Sequence, residues 1–331
     1  MPARPKVFVT RRIPAHGLDQ ILAVTDAEVW AGELPPSYDT IRDKVAQCQG
    51  LVSLLTDRID AALLDAAPHL KVVSNYAVGF NNIDIPAATA RGVCVGNTPG
   101  VLTDATADMA FCLLIAAARR LVDGHLYGQA GKWKTWEPLG HLGQDLVGRT
   151  VGVIGMGRIG TAFARRCRFG WDMRILYHDV HPNTDAEEEL SASRVDLDTL
   201  LSQSDFVSVH TDLNSTTRGL FNLATFRKMK PTAVFINTAR GPIVVEPDLI
   251  EALRQGVIFA AGLDVTDPEP PAADSPLFHV PNLIVAPHIA SATIGTRDAM
   301  ADICARNLLA GLNGAPLPAW VNPEVGPQRR G

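Results

Sequence analysis

A glycine-rich segment between two apolar runs constrains the fold of this chain more than any other feature. Residues Val151–Ile154 have the pattern of a short buried strand, and Gly155, Gly157 and Gly160 follow it. Apolar residues then recur at helical spacing over residues 159–170, where a further glycine predicts the helix end. In such a strand–turn–helix unit, the three glycines make the tight turn, admit a pyrophosphate to the backbone and let helix and strand pack closely. The segment therefore predicts a phosphate-binding turn at a helix N-terminus.

An acidic residue at the end of the next predicted strand makes this interpretation more specific. That strand spans Met173–His178 and is followed by Asp179. A carboxylate at this place accepts hydrogen bonds from an adenosine ribose, and its charge repels a 2′-phosphate. The glycine motif alone is compatible with an ordinary turn, whereas strand, turn, helix and acid together indicate dinucleotide binding. We therefore predict NAD as the cofactor, with NADH preferred over NADPH.

The composition narrows the class of protein. A chain of 331 residues is long enough for two domains. Its 30 basic and 35 acidic side chains give a net charge of −5, which argues against nucleic acid or a membrane as partner. The five cysteines show no CxxC spacing and the N-terminus has no apolar signal core, so we expect a cytoplasmic protein. We expect no metal site.

Predicted strands and helices alternate along the chain, which is typical of parallel α/β domains. We predict two Rossmann-like domains: a substrate domain over residues 1–99, completed by 291–331, and an NAD-binding domain over 100–290. The larger domain has six predicted strands, as in a doubly wound parallel sheet, and the smaller one is expected to be flavodoxin-like. The stretch Thr103–Leu121 is predicted as one long apolar helix, and the polar tail Gly326–Gly331 as disordered.

Three polar side chains follow the ends of successive predicted strands, where ligands of open α/β sheets bind. They are Arg240, Glu269 and His288. Taken singly, each has a structural interpretation: an arginine that caps a strand end, an exposed loop carboxylate and a hydrogen-bonded structural histidine. Together they have the chemistry that hydride transfer to a 2-oxo acid requires. A cation holds the substrate carboxylate, an imidazolium protonates the carbonyl oxygen, and a carboxylate keeps that imidazole oriented and charged.

Along nearly its whole length the chain resembles the D-isomer-specific 2-hydroxyacid dehydrogenases. The matching signatures are Val78-Gly-Phe-Asn-Asn-Ile-Asp84, Gly155-Met-Gly-Arg-Ile-Gly160, Asn237-Thr-Ala-Arg-Gly241, Asp264 with Glu269-Pro270, and Pro287-His288. The Arg–Glu–His triad of that family falls on Arg240, Glu269 and His288. The resemblance implies an active site in a cleft between two domains, which closes over the substrate.

The resemblance also implies which residues line the two binding sites. The expected cofactor-contacting residues are Thr106, Gly155, Gly157, Arg158, Ile159, Gly160, Asp179, His210, Thr211, Asp212, Thr238, Ala239, Arg240, Asp264, His288 and Ala290. The expected substrate-contacting residues are Leu55, Val78, Gly79, Trp136, Arg240 and His288. Among the latter, the backbone N–H groups of Val78 and Gly79 are expected to hold the substrate carboxylate with Arg240. Two positions depart from the family pattern: Asp212-Leu-Asn214 replaces Pro-Leu-Thr, and Ala290 replaces a glycine.

Three runs of the chain are similar to the glyoxylate/hydroxypyruvate reductases of this family: Leu54–Asp60, Asn97–Asp104 and Gly131–Pro138. In those enzymes the last loop crosses to the partner subunit, where its tryptophan helps to close the substrate site. The resemblance implies a homodimer in which Trp136 faces Leu55 and limits the pocket to small oxo acids. We also expect the two-fold interface to cover the apolar helix predicted after residue 102.

We therefore predict an NAD-dependent reductase of glyoxylate or hydroxypyruvate, with His288 as the proton donor. The same residues are compatible with D-3-phosphoglycerate dehydrogenase or another D-2-hydroxyacid dehydrogenase. An NAD-sensing interaction protein of the same fold is a non-enzymatic alternative, which the intact triad disfavours. A methyltransferase that binds S-adenosylmethionine on a similar sheet is a further alternative, but it leaves the triad unexplained.

Overall fold

The computed structural model describes residues 3–330, which divide into two compact units. Unit 1 contains the residues up to Leu102 together with those from Ala292 onwards, and unit 2 is the continuous segment Thr103–Ser291. The predicted domain boundaries, 99/100 and 290/291, lie close to these positions. Within the described residues, no helix is both long and apolar enough to cross a membrane.

Strands and helices follow one another along the described residues. The strands are β1 (Lys6–Val9), β2 (Asp26–Val29), β3 (Gly50–Ser53), β4 (Val72–Asn75), β5 (Cys94–Gly96), β6 (Thr150–Ile154), β7 (Arg174–His178), β8 (Ser193–Arg194), β9 (Phe206–Val209), β10 (Val234–Asn237), β11 (Ala260–Leu263) and β12 (Leu283–Val285). The helices are α1 (Ala15–Val24), α2 (Tyr38–Val45), α3 (Ala61–Asp65), α4 (Ile85–Ala90), α5 (Thr103–Ala118), α6 (Leu121–Gln129), α7 (Arg158–Trp171), α8 (Thr184–Leu190), α9 (Leu197–Gln203), α10 (Leu223–Phe226), α11 (Glu246–Arg254) and α12 (Ile294–Leu312).

Unit 1 is built on a five-stranded parallel sheet with the order β2-β1-β3-β4-β5. This is the flavodoxin-like order that the sequence predicts. Strands β3 and β4 are buried at every position, and their continuous apolar runs make them easy to predict. The edge strand β2 is missing from the sequence-based prediction, because its Asp-Ala-Glu-Val sequence is short, half-polar and only partly buried.

The C-terminal helix α12 packs tightly on this sheet through glycines. A Cβ on Gly311 would lie 2.5 Å from the Cβ of Val72 in β4. A Cβ on Gly17 of α1 would lie 2.1 Å from the carbonyl oxygen of Ala301 in α12. These contacts require residues without side chains, so α12 belongs to the core of unit 1 although it follows unit 2 in the chain.

The segment after α12 is ordered as far as Arg330. The Arg329 guanidinium donates to the carbonyl oxygens of Gly314 and Ala315 at 2.8 and 2.7 Å. The Arg330 guanidinium donates to the carbonyl oxygen of Ala67 at 2.6 Å. The predicted disorder of residues 326–330 is therefore wrong, because side chains that are polar in sequence find backbone acceptors in the fold. Gly331 lies outside the described residues.

Unit 2 contains a seven-stranded parallel sheet with the order β12-β11-β10-β9-β6-β7-β8. The chain order reverses between β6 and β9, which makes the sheet doubly wound as predicted. All six predicted strands are present, and the additional β8 is only two residues long. Helix α7 runs past Gly170 to Trp171 and ends where Asp172 adopts a left-handed backbone conformation with φ 49°, so the predicted stop at Gly170 is wrong.

The apolar stretch after residue 102 forms two helices, not one. Helix α5 ends at Ala118, because Arg120 adopts a left-handed conformation with φ 51°, and α6 begins one residue later. Most apolar side chains of α5 are buried in the core of unit 2. The expectation that a two-fold interface covers this helix stays a prediction. Six large apolar residues on α6 and the loop that follows it are exposed: Leu121, Leu126, Trp133, Trp136, Leu139 and Leu142.

Candidate active site

The glycine-rich turn after β6 has the geometry that its sequence predicts. Gly155 has φ +89°, and a Cβ there would lie 2.8 Å from the backbone of His210 and Thr211. A Cβ on Gly160 would lie 2.0 Å from the carbonyl oxygen of Gly155, so the turn and α7 pack in direct contact. A Cβ on Gly157 would meet no described atom within 4 Å, and the N-terminus of α7 has no side-chain cap. This open, uncapped helix end fits a dinucleotide pyrophosphate.

Asp179 follows β7 and is tied to the same turn. Its carboxylate accepts the N–H of Met156 at 2.7 Å and the N–H of His181 at 3.2 Å. Arg194, whose guanidinium lies next to Asp179, was not among the residues identified from the sequence. The guanidinium of Arg194 donates from Nη2 to the carbonyl oxygens of Asp179 and Val180, each at 2.9 Å. Arg194 escaped notice because β8, which carries it, has no sequence pattern of its own.

Two buried polar atoms lie where β9 and β10 end. The ring of His210 packs against Phe163 with centroids 4.9 Å apart, and its Nε2 lies 2.9 Å from the Ser208 hydroxyl. Burial lowers the pKa of His210 to about 3, so its imidazole is neutral at physiological pH. Its Nδ1 and the hydroxyl of Thr238 are buried without a hydrogen-bond partner among the described residues. Unpaired buried groups are unusual, and here they fit a site that a polar cofactor completes.

His288 follows β12 in a backbone conformation that residues other than glycine rarely adopt. Its φ is +53°. The carboxylate of Asp264, at the end of β11, accepts the N–H groups of Ile289 and Ala290, each at 2.8 Å. Burial raises the pKa of the Asp264 carboxyl, and these two donors act against that rise. Asp264 therefore holds the peptide segment that carries the histidine.

The loops after β10, β11 and β12 bring the predicted triad together within unit 2. The Nδ1 of His288 is hydrogen-bonded to the carboxylate of Glu269, and both side chains are partly exposed. A Cβ on Gly241 would lie 1.9 Å from the carbonyl oxygen of Thr266, so the loop of Arg240 touches the loop that leads to Glu269. The contact explains why a glycine follows the arginine.

The Arg240 guanidinium is held from its own loop. Its Nη1 donates to the carbonyl oxygen of Ala239 at 2.6 Å. The side chain of Asn237 accepts the Ala239 N–H at 3.0 Å and donates to the Arg240 carbonyl oxygen at 2.9 Å, which folds the loop back on β10. Burial lowers the pKa of Arg240, whereas the carboxylates of Glu269 and Asp212 act in the opposite direction. The guanidinium remains protonated at physiological pH, because an arginine side chain does not lose its proton in proteins.

A second acidic residue braces the Glu269 loop and escaped sequence reasoning. The carboxylate of Glu246, in the first turn of α11, accepts the N–H of Asp267 at 2.6 Å. The hydroxyl of Thr266 donates to the carbonyl oxygen of Pro268 at 2.9 Å. An acid in the first turn of a helix is common, so the sequence contains no sign that Glu246 points to another loop.

The remaining predicted cofactor contacts of unit 2 lie on α5, in the first turn of α7, or directly after strands. They are Thr106, Arg158, Ile159, Thr211, Asp212, Ala239 and Ala290. The departure at Asn214 has a local explanation. Its side-chain oxygen accepts the N–H groups of Thr216 and Thr217 at 2.8 and 3.2 Å, so it stabilises a turn.

The predicted substrate contacts are divided between the two units. Leu55 lies in the turn after β3, and Val78 and Gly79 lie after β4, all in unit 1. Trp136 lies in unit 2, on the loop between α6 and β6, with 80% of its surface exposed. The expectation that these residues share one site with the triad stays a prediction.

Comparisons with known proteins agree with this arrangement. Residues 111–290 match the model of the D-isomer-specific 2-hydroxyacid dehydrogenase NAD-binding domain. The chain is 49% identical to the glyoxylate reductase of Korarchaeum cryptofilum over 97% of both sequences. The chain belongs to the D-isomer-specific 2-hydroxyacid dehydrogenase family. A nicotinamide cofactor follows from the domain that is matched.

Solved structures of similar proteins have the same fold. A protein from Thermus thermophilus superposes with a TM-score of 0.89 at 43% identity, covering 96% of this chain and 99% of that one. An NADPH-dependent glyoxylate/hydroxypyruvate reductase from Sinorhizobium meliloti superposes with a TM-score of 0.82 at 31% identity, covering 99% and 100%. The similar structures therefore include that of an NADPH-dependent enzyme.

Two glycine-to-alanine substitutions in the glycine-rich turn should affect different properties, one the stability of the fold and the other the binding of NADH. Gly160→Ala should destabilise the fold by about 1–3 kcal/mol, because the added methyl group meets the Gly155 carbonyl. Gly157→Ala should leave stability nearly unchanged but weaken NADH binding by roughly 10-fold, since its methyl group extends into the space that faces the phosphates. Calorimetry and NADH fluorescence titration measure the two effects. A Gly157→Ala protein that binds NADH normally would contradict this assignment of the turn.

Proposed function

We propose that this protein reduces glyoxylate, hydroxypyruvate or both to the D-2-hydroxy acid with NADH. The observation that carries the proposal is the hydrogen bond between His288 and Glu269. The loop that leads to Glu269 touches the loop of the partly buried Arg240. The names of the relatives support the substrate class. We further propose a homodimer as the active form, and the cytoplasmic location expected from the sequence stays a prediction.

His288 is the proton donor of the proposed reaction. Its Nδ1 is engaged by Glu269, which leaves Nε2 to protonate the substrate carbonyl oxygen. This hydrogen bond to the Glu269 carboxylate fixes the plane of the imidazole ring. The bound nicotinamide supplies the hydride. Asp264 holds the following peptide in place, so the imidazole is oriented before the substrate arrives.

Arg240 is the cation that binds the substrate carboxylate. Its guanidinium is largely buried, and an ion pair is stronger where water is excluded. The N–H groups of Val78 and Gly79 supply further donors for the same carboxylate. Such a set of donors favours substrates in which the carboxylate adjoins the carbonyl carbon, which is the arrangement in a 2-oxo acid.

The triad predicts losses of turnover in two variants. His288→Ala should lower kcat about 10²-fold or more and leave NADH binding nearly unchanged, because a general acid is lost. Glu269→Gln should lower kcat roughly 10-fold with NADH binding retained, because a neutral amide holds the imidazole less firmly than a carboxylate does. Steady-state rates and an NADH fluorescence titration measure both effects.

Matched controls for these variants exist nearby. His279→Ala and Asp274→Asn change exposed residues of the region between β11 and β12 and should behave as the unmodified enzyme. Near-normal turnover in His288→Ala would exclude this residue as the acid. An unchanged kcat in Glu269→Gln would exclude a role for the Glu269–His288 hydrogen bond in turnover.

Asp179 predicts a preference for NADH over NADPH of at least ~10-fold in kcat/KM, or about 1.4 kcal/mol. The reason is repulsion between its carboxylate and a 2′-phosphate. Asp179→Asn should narrow the preference. Arg194→Ala should widen it, because it removes the cation beside the Asp179 carbonyl. Asp185→Asn, in the first turn of α8, is the control. Equal or better kcat/KM with NADPH in the unmodified enzyme would refute the preference.

The proposed place of Trp136 leads to a prediction about the size of the substrate and about the stability of the homodimer. Trp133, Trp136 and Leu139 are 74%, 80% and 81% exposed, and large apolar side chains so exposed favour a protein partner. Trp136→Ala should weaken the preference for glyoxylate over phenylpyruvate and loosen the dimer by ~2 kcal/mol, with NADH affinity retained. Sedimentation and a panel of oxo acids test this, with Lys134→Ala, which changes an exposed polar residue of the same loop, as control. A fully active monomer, or better turnover of phenylpyruvate than of glyoxylate and hydroxypyruvate, would refute it.

A further inference from the structure

Three successive carbonyl groups after β4 are each held by a buried donor of unit 1. The carbonyl oxygen of Ala77 accepts the backbone N–H of Thr98 at 2.9 Å. The carbonyl oxygen of Val78 accepts from Nδ2 of Asn97 at 2.8 Å. The carbonyl oxygen of Gly79 accepts from Nδ2 of Asn75 at 2.9 Å. The three donor residues are buried, with Asn75 and Thr98 at 0% and Asn97 at 9% exposure.

The N–H groups of the same three peptides, unlike their carbonyl groups, have no hydrogen-bond partner among residues 3–330. In a trans peptide the C=O and the N–H point in opposite directions. A carbonyl held towards the interior therefore turns the N–H of the next residue away from it. The N–H groups of Val78, Gly79 and Phe80 donate to no atom of residues 3–330. Successive N–H groups on half-exposed backbone form a site for an anion.

We propose that Asn75 and Asn97 are positioning residues that aim the N–H groups of Gly79 and Phe80 at the substrate carboxylate. The inference rests on the proposed function and adds to it a third donor, the N–H of Phe80. Neither asparagine touches the substrate. Each acts through the peptide whose carbonyl it holds, and preorganised donors need no rearrangement when the anion binds.

The two asparagines differ in how many contacts they make, which decides the choice of variant. The side chain of Asn75 also accepts the hydroxyl of Ser53 at 3.0 Å and lies 3.5 Å from Nδ2 of Asn82. Asn82 in turn donates to the carbonyl oxygen of Leu54 at 3.0 Å, in the turn that carries Leu55. Removal of Asn75 therefore disturbs two turns. The side chain of Asn97 is hydrogen-bonded to Val78, so Asn97→Ala is the cleaner test.

The experiment compares Asn97→Ala and Asn75→Ala with Asn322→Ala. Asn322 is a matched control, because it is also an asparagine that is fully buried in unit 1. Its side chain accepts the N–H of Val95 in β5 and donates to the carbonyl oxygen of Val93, just before that strand. The readouts are the thermal midpoint, kcat and KM for glyoxylate, the Kd for NADH, and the Kd of oxamate with saturating NADH. Oxamate is a carboxylate of the substrate's shape that is not reduced.

Asn75 and Asn97 are together named the clamp. The clamp variants Asn97→Ala and Asn75→Ala should raise the oxamate Kd and the glyoxylate KM about 10-fold, with little change in kcat or NADH affinity. Asn322→Ala should lower the thermal midpoint and leave the oxamate Kd unchanged. A folded Asn97→Ala with the oxamate Kd of the unmodified enzyme would overturn the proposal. An equal rise in Asn322→Ala would also overturn it, since the effect would then be one of general destabilisation.

A measurement on the unmodified enzyme covers the case in which a variant does not fold. Amide hydrogen exchange over residues 76–82 should be fast without ligand and slow when NADH and oxamate are bound. Unchanged exchange would overturn the proposal. An enzyme that reduces no 2-oxo acid would refute the proposed function, and the clamp with it. An enzyme that reduces glyoxylate, but whose clamp variants bind oxamate normally, would refute the clamp alone.

Discussion

The pair of hydrogen bonds from the N–H groups of Ile289 and Ala290 to Asp264 is the interaction on which the geometry of the candidate active site in unit 2 depends. It holds the loop in which His288 adopts a left-handed conformation. Such a conformation costs about 1–3 kcal/mol, and a hydrogen bond to a charged group contributes about 1.5–3 kcal/mol. Two such bonds are together large enough to offset the strain. The result is a histidine ring already oriented towards Glu269.

In both units, side chains from neighbouring elements hold the turns that follow the strands. Functional groups lie on turns beyond the carboxyl ends of parallel strands, where backbone polar groups have no sheet partner. In unit 2 the carboxylates of Asp264 and Glu246 hold those turns through N–H groups. In unit 1 the amides of Asn75 and Asn97 hold a turn through its carbonyls. The choice of side chain decides which backbone group remains for a ligand: a carboxylate uses N–H groups, and an amide donor leaves them free.

Burial affects the protonation of the ionisable groups of unit 2 differently, depending on the charged groups around them. His210 has no carboxylate partner, so burial leaves it neutral. Arg240 is partly buried, and Glu269 and Asp212 favour its charged form. His288 is hydrogen-bonded to the Glu269 carboxylate. One sheet edge thus contains a neutral imidazole, a fixed cation and an imidazole that is oriented by a carboxylate, and the two histidines differ in their neighbours.

The sequence by itself determined the features whose causes are local. The glycine turn was predictable because φ and packing at Gly155 and Gly160 exclude any side chain, and the parallel strands because buried runs are continuously apolar. The triad was predictable because its members follow strand ends. Only the tertiary structure decided the rest. The short strands β2 and β8, the burial of α5 within unit 2 and the ordered tail depend on partners distant in the chain. The same holds for Arg194, Glu246 and the two asparagines, since a side chain's hydrogen-bond acceptor on another loop leaves no trace in the local pattern.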